Sequence, residues 1–105
     1  MTLSLDRKYH FNALLFIKKS IFLPNTTSPK DDVVNRLFLQ IEENLYGFVY
    51  KTLNENFAQY EKPFDVEISI FAFDFMKTSI GLGNVYKVFR GQEEVGWIEI
   101  RRKVE

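Results

Sequence analysis

Apolar and polar side chains alternate near the start of the chain: Tyr9, Phe11, Ala13, Leu15 and Ile17 fill one face, while Lys8, His10, Asn12 and Lys18 mostly hold the other. Read at a helical period, the apolar residues here scatter round the whole circumference. The two-residue period therefore predicts a strand. Pro24 ends it, and Asn25, Thr26 and Thr27 supply loop chemistry.

A different period follows. Ser28 suits a helix N-cap, Pro29 the first helical position, and Asp31 and Asp32 place negative charge on a first turn. Val34, Leu37, Phe38, Ile41, Leu45 and Phe48 recur at helical spacing, and after Gly47 the stripe drifts to Val49, Leu53, Phe57 and Tyr60. The spacing predicts a helix from Lys30 to Tyr60. At 1.5 Å per residue it would run about 45 Å, too long for a compact domain of this size, so it bends or breaks near Gly47 or projects at one end.

After Pro63, "FDVEISIFAFDF" begins as a clean strand with Phe64, Val66, Ile68 and Ile70 on one face and Asp65, Glu67 and Ser69 on the other. The alternation then slips, moving the apolar set to Phe71, Phe73 and Phe75 and leaving Asp74 where the core face should continue. Because strand side chains alternate strictly, an extra residue near Ile70 and Phe71 would turn the row over, and a bulge is predicted there. "TSIGLGN" is a turn, and "NVYKVFRGQEEVGWIEIRR" is a hairpin about Gly91 and Gln92. A two-residue loop opposes Phe89 to Glu94. A three-residue loop opposes Phe89 to Val95 and gathers Tyr86, Val88, Ile98 and Ile100 into the better core face, leaving Phe89, Val95 and Trp97 opposite.

The predicted fold is α+β: one domain over residues 1–105, with a curved antiparallel β-sheet packed on one long, kinked α-helix in the order β-α-β-β-β. This order resembles that of cystatin-like and other helix-wrapping folds, in layout alone. A helix covers one face of such a sheet, so the other face must be polar or meet something.

Composition narrows the class. The chain of 105 residues is 46% hydrophobic and 27% charged, an ordinary globular balance, and aromatics reach 16% with eleven Phe. Fourteen basic and fourteen acidic residues cancel, removing the global field that gathers nucleic acid or anionic membrane. The absence of cysteine excludes disulfides, thiolate nucleophiles and Cys-ligated zinc, and the cytoplasm is the expected location. In "RKYHFNALLFIKKSIFL", Lys18 and Lys19 cut the apolar run far short of a membrane span or a signal sequence.

Candidate chemistry is sparse. His10 is the single histidine, so a site with two imidazoles cannot form within one chain, and it reads as a surface or hydrogen-bonded side chain. Asp65, Glu67 and Asp74 could hold a cation or share acid and base roles, but solvated acids on a sheet explain them equally. "GLGN" lacks the Lys and Ser or Thr of a phosphate loop. Arg101, Arg102 and Lys103 lie near Trp97 and Tyr86, yet Glu93, Glu94, Glu99 and Glu105 surround them, which disfavours nucleic acid.

What is left is an aromatic group. Phe71, Phe73, Phe75 and Trp97 would anchor a partner, with Asp65, Glu67, Asp74, Glu93 and Glu94 as an acidic rim steering a basic protein such as a toxin domain. The expected function is a small non-catalytic protein-binding module of the inhibitor, immunity or antitoxin type, with no cofactor, no metal and no membrane. The alternatives are a small-ligand binder or enzyme with a pocket between sheet and helix, and a homodimer using the aromatic face on itself.

Overall fold

A computed structural model describes residues 8–19, 28–29, 37–54 and 57–104. Among these residues are six strands and one short helix: β1 (Phe11–Ile17), β2 (Leu37–Ile41), β3 (Asn44–Thr52), β4 (Phe64–Ile70), α1 (Phe73–Met76), β5 (Val85–Arg90) and β6 (Glu93–Lys103). The strands close into a barrel in the order β1-β4-β3-β2-β5-β6, every neighbouring pair antiparallel. Since β5 returns to lie beside β2, the β2–β5 run is a Greek key. No helix among the described residues is long and apolar enough to cross a membrane.

The predicted α+β layout is overturned, and with it the resemblance in layout to helix-wrapping folds. Within the stretch read as a long helix, residues 37–52 are instead the β2–β3 hairpin, and the longest extent of the molecule, 38 Å, has no room for a 45 Å rod of the kind expected at about 1.5 Å per residue. Leu37, Leu39, Ile41 and Phe48 point inward at a period of two and are buried. The helical stripe arose because Phe38, Leu45 and Val49 are apolar on the outer wall, filling positions that a half-exposed strand would leave polar. Asp31, Asp32 and Val34 lie outside the described residues. Pro29 is buried, and its carbonyl accepts the Tyr50 hydroxyl at 2.7 Å.

β1 behaves as its alternation predicts, with Phe11, Ala13, Leu15 and Ile17 buried. These meet Val66, Ile68, Val88, Ile98 and Ile100 in one buried cluster inside the barrel, and among the described residues no long helix stands against a sheet to form the expected cleft. The β5–β6 hairpin contains both anticipated registers. Near the turn Phe89 faces Glu94, and beyond an irregularity Val88 faces Gly96, making Val95 the extra residue. That bulge turns Val95 inward, where it is buried, a correction to its expected place beside Trp97. A second shift leaves Arg101 unmatched against β1. Two bulges in one long strand give it the coiling that a six-stranded barrel needs to close.

The β2–β3 turn runs through Glu42 and Glu43, with Glu42 at φ 57, in the left-handed region that favours glycine. Glu42→Gly is expected to raise stability by up to about 1 kcal/mol. Thermal unfolding checks this: a lower midpoint would show that the Glu42 side chain contributes more than its backbone strain costs.

Candidate functional site

The slip after Ile70 is a change of element, not a bulge. Phe71 makes the last ladder contact, donating its N–H to the Gly47 carbonyl at 3.0 Å, and the chain then turns into α1. Phe73 and Met76, three apart, face the protein, because a helical turn brings i and i+3 onto one side. The predicted bulged strand with inverted faces is therefore absent. Gly47, read as a helix break, lies within β3 under the Phe71 ring, where a Cβ would stand 2.9 Å from that ring.

Antiparallel pairing sorts the barrel into two ends. The start of β1, the β2–β3 turn, the end of β4, α1, the start of β5 and the end of β6 share one end. The β3–β4 connection and the β5–β6 turn share the other.

Three side chains, Met76, Phe73 and Tyr86, fix the β4–β5 connection over the first end. Met76 is fully buried. Phe73 stacks on His10 with ring centroids 3.9 Å apart and planes 6° apart, and meets Phe11 edge-on at 5.9 Å. The Tyr86 hydroxyl accepts the Gly81 N–H at 2.8 Å and the Asn84 amide at 3.4 Å. Gly83 then passes at φ 82 into β5.

His10 is tied in from the other side. Its Nδ1 accepts the Ile70 N–H at 3.0 Å, so the neutral ring carries its proton on Nε2. Partial burial, helped by the charge of Lys8, holds its pKa below the ordinary value, while Asp74 pulls weakly the other way. Of the two readings its sequence left open, a surface or a hydrogen-bonded side chain, His10 takes the hydrogen-bonded one.

This platform leaves apolar side chains in water. Phe75 is 91% exposed and Phe71 60%. Leu45, Leu82 and Val85 are also exposed and belong to the same end, whereas Leu53 and Phe57 belong to the other. Asp74 sits among them, 3.9 Å from Lys77 in a pair too exposed to matter energetically.

The nine residues expected to form one face divide. Phe71, Phe73, Asp74 and Phe75 are together at the α1 end, although Phe73 faces inward. Trp97 is half-buried on the barrel wall, stacked on Phe16 at 5.7 Å. Asp65 is on the wall opposite Leu14, and Glu67 is in a polar row there. Glu93 and Glu94 sit at the far end, where Glu94 lies 3.8 Å from Lys87. An acidic rim round the aromatic group is not assembled. Sequence reasoning missed Leu45, Leu82 and Val85, for which the available signal was an apolar residue at each turn-flanking position where solvent should be met.

The Glu67 row has a structural explanation. With the Asn12 amide turned to suit its partners, its oxygen accepts from Arg102 Nε at 2.7 Å and its nitrogen donates to Glu67 Oε2 at 3.3 Å. Glu67 Oε1 lies 3.2 Å from Lys51 Nζ, which sits 4.8 Å over the Tyr9 ring. The row ties β6, β1, β4 and β3 across the outer wall, with Glu67 placed between Asn12 and Lys51. Among the described residues no three His, Asp or Glu side chains gather to hold a metal ion.

Comparison with protein-family models, curated proteins and solved structures finds no match, so the site is read from its own geometry.

Proposed function

We propose that the protein is a non-catalytic binding module that engages another protein through the α1 end of its barrel, acting as an inhibitor or immunity-type protein by covering its partner's surface. The observation that carries this reading is Phe75: a large aromatic side chain almost wholly in water, on a segment pinned by Met76, Phe73 and Tyr86. Moving such a ring out of water is worth about 2–3 kcal/mol, and a fixed platform spares the partner most of the ordering cost. Clustered exposed apolar groups edged by charge are what docking faces present. The cysteine-free composition supports a cytoplasmic setting.

A photo-crosslinking residue at position 75 would capture the partner in cells, and calorimetry with the purified pair would then measure affinity. Phe75→Ser is expected to leave stability within about 0.5 kcal/mol of the parent and to weaken binding at least about tenfold. Phe57→Ser, at the other end, should change neither. Equal affinities for parent and Phe75→Ser, or a loss confined to Phe57→Ser, would overturn the assignment. Sedimentation of the free protein shows whether the captured partner is a second copy.

A further inference from the structure

We propose that His10 is a proton-sensitive latch that holds α1, and with it the docking face, in place. The inference rests on the reading of the α1 end as a docking face for its biological meaning, and on geometry alone for its physics.

One imidazole bridges two elements at the point where β4 hands over to α1. Its Nδ1 lone pair accepts the Ile70 N–H, and its ring face carries Phe73. The stack would tolerate a charged ring, since a cation over an aromatic face is attracted to it. The hydrogen bond would not. A protonated ring has an N–H on both nitrogens, so Nδ1–H would confront Ile70 N–H, donor against donor. The ring must then turn or withdraw. Phe73 must follow it or lose its stack.

The groups packed around the ring do not supply a compensating anion on every side. Lys8 approaches from the lead-in to β1 and opposes protonation, whereas Asp74 on α1 favours it. β4 presents backbone and Ser69, whose hydroxyl is already given to the Lys8 carbonyl at 2.8 Å. β6 brings the Val104 N–H to the His10 carbonyl at 3.0 Å and carries Lys103 opposite Phe11.

The sign follows from linkage. The folded-state pKa is lowered, so the latch is fully closed above the ordinary histidine value of about 6.5 and is lost as pH falls through the lower folded value. The protection lost can reach about tenfold for each unit by which the pKa is lowered. Any partner affinity falls by the fraction of molecules in which α1 is displaced.

Two measurements on the free protein test the latch without the partner. Nitrogen NMR should show His10 protonated on Nε2 at neutral pH and titrating below about 6.5. Amide exchange, corrected for its intrinsic pH dependence, should show protection at Ile70 and Lys77 falling between pH 7.5 and 5, while Leu15 and Ile98 in the barrel wall hold theirs. His10→Asn keeps an acceptor near the Nδ1 position without a titrating group, and should remove that dependence. An Nδ1-protonated tautomer, an unshifted pKa, equal losses at wall and cap, or an unchanged pH response in His10→Asn would each overturn the proposal. If His10→Asn does not fold, the wild-type tautomer and the cap-against-wall comparison decide it. Because no partner enters either experiment, a failed latch leaves the docking face standing, and a failed docking face leaves the latch standing.

Discussion

Gly96→Ala is expected to destabilise the protein by about 3 kcal/mol or more, at the top of the range for forcing atoms into a packed site. Gly96 on β6 pairs with Ile17 on β1, and a Cβ there would collide with the Phe16 carbonyl oxygen, 2.7 Å from the carbonyl carbon and 3.0 Å from Ile17 Cα. These are backbone atoms, so no rotamer change can make room. β1 would have to part from β6, and that seam closes the barrel. Gly91 and Gly83 provide the contrast. Each has positive φ, but a methyl group added there would meet nothing within 4 Å, so alanine costs only the left-handed backbone penalty of about 1–2 kcal/mol. Urea unfolding should show a lower midpoint for Gly96→Ala at unchanged slope. A cost no greater than that of Gly91→Ala would refute the close approach of β1 and β6.

How much of this was legible depended on whether each strand had one wet face. β1 and β4 alternate cleanly, and their apolar buried sets follow from the sequence from Phe11 to Ile17 and from Phe64 to Ile70, with Ser69, read on the polar face, buried as well. β2 and β3 carry apolar residues on both faces: Phe38 and Val49 outside, Leu39 and Phe48 inside. With the period blurred, apparent capping by Ser28 and Pro29 tips the reading to helix. The turn through Glu42 and Glu43 contains no glycine or proline to announce it. Closure is illegible for another reason. It depends on long-range pairing, such as β1 with β4 and β6, that no local period encodes.

The candidate site was half legible. Phe71, Phe73 and Phe75 mark the right place because the slip in alternation is real, but a slip has two physical causes, an extra strand residue or the onset of a helical turn. Met76 separates them. As a strand residue it would share a face with Phe64, Val66, Ile68 and Ile70 only if no residue were inserted, whereas as i+3 from Phe73 it completes one inward helical side. Trp97, Glu93 and Glu94 join α1 only on the assumption of a single sheet face, and a barrel distributes such residues round its wall and between its ends.

Met76→Ala is expected to cost about 3 kcal/mol, within the range for truncating a buried methionine. A helix of four residues has no stability of its own, since nucleation alone outweighs the few hydrogen bonds that it forms. α1 therefore exists because Met76 is buried at its end and Phe73 rests on His10. Removing the Met76 side chain takes away both the apolar transfer energy and the anchor, so the loss should appear first as faster amide exchange over residues 71–84. Met76→Leu, which nearly conserves volume, should cost less than about 1.5 kcal/mol. Phe75→Ala, one residue earlier and in water, should cost almost nothing. This ordering separates the residue that builds the platform from the residue displayed on it. Equal stabilities for Met76→Ala and Phe75→Ala would mean that α1 does not plug the barrel, and the fixed presentation of Phe75 would lose its physical basis.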